Sequence, residues 1–257
     1  MLISMKITKI KVLKNKVSIT FDNKTKLSVD KDIYPNFYLY EGKELSKKEY
    51  NEIVSLNDTN ALLQYALKIR SKALYSEFQM REKLYKKEAS KPEVDKIIKI
   101  LKGYDLINDS ALANDLTEYY NSLNYGKNKI VHKLSEKGIF QAEIDKIKFP
   151  IVKERNKAQN VLNKLEKKYE KYNTSSKKAH IYNAYISLGF DVDIASEFSN
   201  KIKESSHKDE LDKLKNDYSK VKVRLSRKYK GKELKQKCIN SLLQKGYKLN
   251  DIIKVVG

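Results

Sequence analysis

The segment 213–237 carries eleven basic residues against two acidic ones, Asp217 and Glu233. Side chains three and four residues apart on a helix share a face, so Lys220, Arg224 and Arg227, with Lys228 beside them, form a stripe about two turns long. Lys213 and Lys235 extend the same one-signed surface toward either end of the segment. A stripe of this kind suits the phosphates of a nucleic acid or the acidic rim of a protein, because each phosphate that is neutralised releases condensed counterions. Tyr218 and Tyr229 flank it and could stack on bases, as aromatic rings do in single-strand binding. The competing reading is a solvated, lysine-rich helix face. The candidate nucleic-acid or filament-binding residues are therefore Lys213, Lys220, Arg224, Arg227, Lys228 and Lys235.

No other residues are grouped for chemistry. His132, His180 and His207 stand far apart, without carboxylate or cysteine companions at ligand spacing, so neither a zinc site nor a catalytic triad is expected. Cys238 lies among Ile239 and Leu242 and reads as a buried small hydrophobe, not as a reactive thiol. Asp191 and Asp193 look like a helix start and not an acid-base pair. There is no glycine-rich phosphate loop. Tyr65, Tyr104, Tyr119 and Tyr185 sit at helical spacing beside apolar neighbours and are expected in the core. The residues propose no enzyme and no cofactor.

The elements that must position the stripe follow from composition. Only 8 glycines and 3 prolines in 257 residues call for long helices with short connections. A single cysteine rules out an internal disulfide framework and points to the cytoplasm. No apolar run reaches the roughly 18 residues of a membrane span, and lysines interrupt the first fourteen residues, so neither a membrane helix nor a signal peptide is expected. The net charge of +21 falls most heavily on residues 208–257. Arginine occurs only at 70, 81, 155, 224 and 227, so the total reflects lysine bias and the local cluster is the more informative feature.

Residues 1–58 differ from the rest. Ile10 and Val12, Val17, Ile19 and Phe21, then Leu27 and Val29 alternate with polar residues, predicting a small antiparallel sheet of two or three strands packed on helices near 34–39 and 46–56. Ser46 with Glu49 makes a capping box. From residue 59 an apolar anchor followed by a helix stop recurs at intervals of about fifty residues. It runs from Leu134 to Gly138 and Ile139, from Tyr185 to Gly189 and Phe190, and from Leu242 to Gly246 and Tyr247, with a glycine-free version from Leu84 to Glu88. Glycine closes a helix in the left-handed conformation at least cost, and the apolar residue after it packs back. First helices are expected over 59–70, 110–123, 152–172 and 208–229, and short third helices over 92–102, 141–148, 193–203 and 250–256. The sequence thus reads as a mainly α, elongated array of four three-helix repeats, 59–107, 108–149, 150–207 and 208–257, behind a small N-terminal antiparallel β-sheet.

Several stretches carry a family likeness. Ala61-Leu62-Leu63-Gln64-Tyr65-Ala66-Leu67, then Arg70 through Glu77, then Met80 to Leu84 resemble the start of the conserved region of the RecX family of recombination regulators. Further matches are Leu106 to Asp109 running into Leu112 and Ala113, Gly126 through Ile130, Leu134, and Lys137 to Ile139. The chain departs where relatives place phenylalanine, here Leu112, and an arginine, here in Tyr119-Tyr120-Asn121. The resemblance implies a regulator that binds the RecA recombinase filament on single-stranded DNA and limits its extension, so that ATP hydrolysis, strand exchange and co-protease function fall with it. Single-stranded DNA, with duplex DNA as a second ligand, is the expected nucleic-acid partner of a cytoplasmic monomer. The alternative is a DNA-binding protein of helix-turn-helix-like units with no recombinase partner. Against it, the third helices are short and mixed in charge.

Overall fold

The computed structural model describes residues 4–257, so the first three residues of the expected N-terminal domain lie outside it. The alternating segments form strands β1 (Met5–Val12), β2 (Lys16–Phe21) and β3 (Lys26–Asp30), joined by a two-residue strand β4 (Glu44–Leu45), in the order β3-β2-β1-β4 with every pair antiparallel. The sheet thus has four strands, against the two or three expected, because a strand as short as β4 shows no alternation to read. Ile7, Val17, Ile19, Phe21, Val29 and Leu45 point inward and pack with Ile53 of the helix that follows. Phe21 meets Tyr50 edge to face at 5.6 Å.

That helix, α1 (Lys47–Arg70), is continuous, where two separate helices were expected. Asn57 and Asp58 do not break it. Asn57 accepts a hydrogen bond from the Asp30 amide (2.9 Å) and Asn60 donates to the Asp30 carboxylate (2.8 Å), so polar residues at the junction of the two expected helices tie the continuous helix to β3. Ser46 and Glu49 form the expected capping box. The remaining helices are α2 (Glu77–Tyr85), α3 (Lys91–Gly103), α4 (Asp109–Ser122), α5 (Lys127–Glu136), α6 (Gln141–Ile144), α7 (Ile151–Lys168), α8 (Thr174–Ser187), α9 (Val192–Asn200), α10 (His207–Ser226), α11 (Gly231–Gln244) and α12 (Leu249–Val256). The protein is mainly α with a small N-terminal antiparallel sheet, as the pattern indicated. Helix α6 stops four residues earlier than expected, and Phe149 precedes Pro150, a position that disfavours helix.

The chain divides into two compact units, one made of residues 1–112 with Lys137–Ile139, the other of Ala113–Glu136 with Phe140–Gly257. In the first, the sheet core is joined by a cluster from α1–α3 built on Ala66, Met80, Leu84, Ile97 and Leu101. In the second, α7–α9 bury Leu162, Ile181, Tyr185, Phe190 and Phe198, and α10–α12 bury Leu214, Val221, Cys238, Leu242 and Ile252.

The recurring helix stop has one backbone form. Gly138, Gly189 and Gly246 take φ of 76°, 88° and 84°, and Glu88 takes 61° at the glycine-free copy. The amides of Ala89, Phe190 and Tyr247 reach back to the carbonyls of Leu84, Tyr185 and Leu242, the closure a left-handed cap permits.

Candidate nucleic-acid interface

Helix α10 starts at Ser206, whose hydroxyl accepts from the Asp209 amide at 3.1 Å. Acidic Asp209 and Glu210 occupy its first turn and Arg224 its last, the arrangement the helix dipole favours. Its apolar residues Leu211, Leu214, Tyr218, Val221 and Leu225 pack against Cys238 and Leu242 of α11 and Ile252 of α12. That contact fixes the rotation of α10 and turns the basic side outward. Lys220, Arg224, Arg227 and Lys228 are all exposed, as is Lys235 on α11. Arg224 also donates to the Ser241 hydroxyl of α11 at 3.3 Å, which steadies its guanidinium at the side of the hairpin.

Lys213 is set apart from the rest. It is half-buried and its ammonium donates to Ser205 at 3.2 Å. One turn further on, Asp217 pairs with Lys245 at 2.9 Å and accepts from the Tyr247 hydroxyl at 3.0 Å, so this end of the stripe is internally neutralised. From Lys220 to Lys237 the charge is uncompensated: among the described residues, no carboxylate lies within ion-pair distance of Lys220, Lys222, Arg224, Arg227, Lys228, Lys230, Lys232, Lys235 or Lys237. The candidate residues therefore gather at the C-terminal end of α10, the following turn and the start of α11, with Lys213 outside that group.

The two tyrosines part company. Tyr218 belongs to the rim of the α10–α12 core and carries the Lys222 ammonium over its ring at 5.5 Å, so it is not the free stacking surface its spacing suggested. Tyr229 lies in the turn, half-buried, with Lys228 and Lys237 ammoniums 5.6 and 5.4 Å from its ring centre. Lys237 was not among the candidate residues. Seven residues separate it from Tyr229, and only the return of α11 along α10 brings the two together.

The other chemistry-bearing residues are placed as follows. His132 is exposed, His180 packs against the rings of Tyr169 and Tyr172, and His207 is exposed with Asp251 at 4.0 Å. Cys238 is buried, which raises its thiol pKa and disfavours the thiolate. Asp191 caps α9 and accepts from Asn128 at 2.8 Å. Tyr185 is a core residue whose burial pushes its phenol pKa up, and Tyr65 packs at the edge of the α1–α3 core. Tyr104 and Tyr119 are exposed, contrary to expectation: Tyr104 follows the end of α3, and Tyr119 tilts onto Tyr120 at the surface. A cavity of about 400 Å³ opens among α8, α10 and α12, but its Glu210 is already taken by the Thr174 amide and hydroxyl. No described helix is long and apolar enough to cross a membrane.

No family model matches the chain. It is 32% identical over 255 residues to the regulatory protein RecX of Streptococcus pyogenes serotype M3, covering 96% of this chain and 97% of that protein. The regulatory protein RecX of Listeria welshimeri is 30% identical over 256 residues, 96% of this chain and 94% of its own length. That of Clostridioides difficile is 32% identical over 204 residues, 76% and 95%. Among solved structures, the fold is similar to a crystal structure of regulatory protein RecX, with a TM-score of 0.63 at 23% identity over 76% of this chain and 99% of that one. It is also similar to RecX from Lactobacillus salivarius, with a TM-score of 0.53 at 23% identity over 57% and 97%. At that identity the structures speak to the fold.

Proposed function

The chain belongs to the RecX family of regulatory proteins, and from that premise we propose that it binds the RecA recombinase filament on single-stranded DNA and limits its extension and activity. The observation that supports this reading most is the run of unpaired cations from Lys220 to Lys237 beside Tyr229. A nucleoprotein filament presents phosphates and acidic side chains along its length, and a rigid two-helix edge of one sign can lie against them without first breaking ion pairs of its own. The protein works by occupancy, as a cytoplasmic monomer without turnover chemistry. Its repeating units are the triplets α1–α3, α4–α6, α7–α9 and α10–α12, a reading supported by the shared left-handed stop at Glu88, Gly138, Gly189 and Gly246.

The test is single-strand-dependent ATP hydrolysis by RecA, with this protein added far below the RecA concentration. Loss of hydrolysis at such ratios is expected, because a bound end or a broken filament removes many subunits per event. Loss only when the DNA is saturated would instead mean competition for DNA, the behaviour of a plain DNA-binding protein.

A further inference from the structure

The N-terminal sheet has a second face that its core does not use. A β-bulge between Ile7 and Lys9 re-phases β1, so that Ile7 and Ile10 both serve the core while Lys9 and Lys11 are left exposed. Strand register then sets out two polar rows across β1, β2 and β3. Lys9 stands opposite Thr20, which stands opposite Lys26; Lys11 stands opposite Ser18, which stands opposite Ser28. Their inward neighbours Val17, Ile19, Phe21 and Val29 are buried, so the alternation places these six side chains together on the outer face. Strands lie about 4.8 Å apart, so the backbones of Lys9 and Lys26 are roughly 10 Å apart with a hydroxyl between them. Short hydroxyl side chains make the centre of the face, Lys9, Lys11 and Lys26 stand at its sides with Ser28, and the next pair along the strands is Lys16 opposite Asp30. Among the described residues, the ammoniums of Lys9, Lys11, Lys16 and Lys26 have no ion-pair partner.

We propose that this face is a second polyanion-binding surface, separate from the α10–α11 edge, and that it takes the sugar-phosphate backbone of a nucleic acid. Lys9, Lys11 and Lys26 supply the charge, and the hydroxyls of Ser18, Thr20 and Ser28 donate to phosphate oxygens that the short side chains allow close. Charge complementarity selects the ligand: a face where unpaired lysines outnumber the one carboxylate, that of Asp30, which is already held by Asn60, and where small donors stand at the centre, matches repeated phosphates. None of the six side chains is aromatic. The face therefore offers no stacking and does not distinguish bases, and it serves single strands and duplexes alike. Joined to the α10–α11 edge in one chain, it raises avidity by making the second contact intramolecular.

The experiment uses the full-length protein and fluorescence anisotropy with a labelled thirty-nucleotide poly-dT strand and a duplex of equal length, across a range of salt. The combined variant Lys9→Glu, Lys11→Glu and Lys26→Glu is expected to lower affinity at least tenfold at low salt. It should also flatten the slope of log affinity against log salt by about two units on both ligands, since each lost phosphate contact removes roughly 0.7–0.9. The milder set Lys9→Gln, Lys11→Gln and Lys26→Gln should give a smaller change in the same direction, and decides the matter if the reversal impairs folding. A slope unchanged in folded variants overturns the proposal, as does a loss of binding to anionic lipid vesicles with none on DNA. A parallel charge reversal at Lys220, Arg224 and Arg227 keeps the two surfaces apart: a slope that responds to that variant and not to the sheet variant rejects this surface while leaving the recombinase reading intact.

Discussion

The Lys157 ammonium lies 2.6 Å from the Glu154 carboxylate on α7, and both side chains are less than a tenth exposed. Each is also held where α4 turns into α5: Lys157 donates to Asn121 Oδ1 in the last turn of α4 and to the Tyr125 carbonyl, both at 2.7 Å, and Glu154 accepts from the Lys127 amide at the start of α5 at 3.0 Å. The pair therefore fastens that turn to α7. Removing one partner strands the other charge out of water, which costs about 3–5 kcal/mol, whereas replacing both with apolar residues can be near neutral. Lys157→Met should lower unfolding stability by about 3 kcal/mol or more, and the double change Lys157→Met with Glu154→Leu should recover much of it. Urea unfolding of the three variants checks this; a single change within 0.5 kcal/mol of the parent would contradict it.

The helix stops make a sharper pair. Gly189 combines a φ of 88° with the backbone of Lys129 as close as 2.3 Å to where a Cβ would sit, so Gly189→Ala meets both strain and a wall that cannot yield. A loss of at least about 2 kcal/mol is expected, from the left-handed penalty of about 1–2 kcal/mol plus the clash. At the equivalent Glu88, φ is 61° without a glycine, and Glu88→Gly should stabilise by up to about 1 kcal/mol. Thermal denaturation of the two variants should move in opposite directions, and a Glu88→Gly protein that melts earlier would refute the assignment.

Acid should weaken the first unit through Glu77. Burial pulls its pKa up from 4.5, but hydrogen bonds and charge from Lys102 and Arg81 outweigh this and hold it below that value. A carboxylate with a depressed folded pKa contributes stability that is present above about pH 4.5 and is lost as pH falls through the folded value. Glu77→Gln should lower stability at pH 7 and lose less than the parent between pH 4.5 and pH 3. Denaturant midpoints at the three pH values measure this, and parallel losses in both proteins would count against it.

For the α10–α11 edge, charge reversal at Lys220, Arg224 and Arg227 should flatten the salt dependence of single-strand binding by about two units. The change Lys213→Glu should have much less effect, because Lys213 is bonded to Ser205 and lies outside the unpaired run. Equal effects from both would show that the internal pairing at Asp217 and Lys245 does not matter to binding.

What the sequence disclosed follows the reach of each signal. Strand alternation, the capping box at Ser46 and the left-handed stops are local, and each is present in the structure. The continuity of α1 through Asn57 and Asp58 was not readable because Asp30, which Asn57 and Asn60 bind, is remote in sequence. The same holds at the candidate site. The spacing of Lys220, Arg224 and Arg227 was readable, but the partial burial of Tyr218, the neutralisation of Asp217 by Lys245 and the approach of Lys237 to Tyr229 depend on how α11 packs along α10. The buried Lys157 and Glu154 gave no signal at all, since a lysine and a glutamate three residues apart in a charged helix look like solvent-facing residues.

The central claim is that this protein acts on the recombinase filament and not merely on its DNA. The most direct measurement is the length distribution of RecA filaments on long single-stranded DNA, imaged by electron microscopy with this protein at about one copy per fifty RecA subunits. Markedly shorter filaments are expected with the native chain, and lengths close to the control with Lys220, Arg224 and Arg227 reversed. Filaments of unchanged length, at a concentration where the native chain is shown to bind them, would contradict the account.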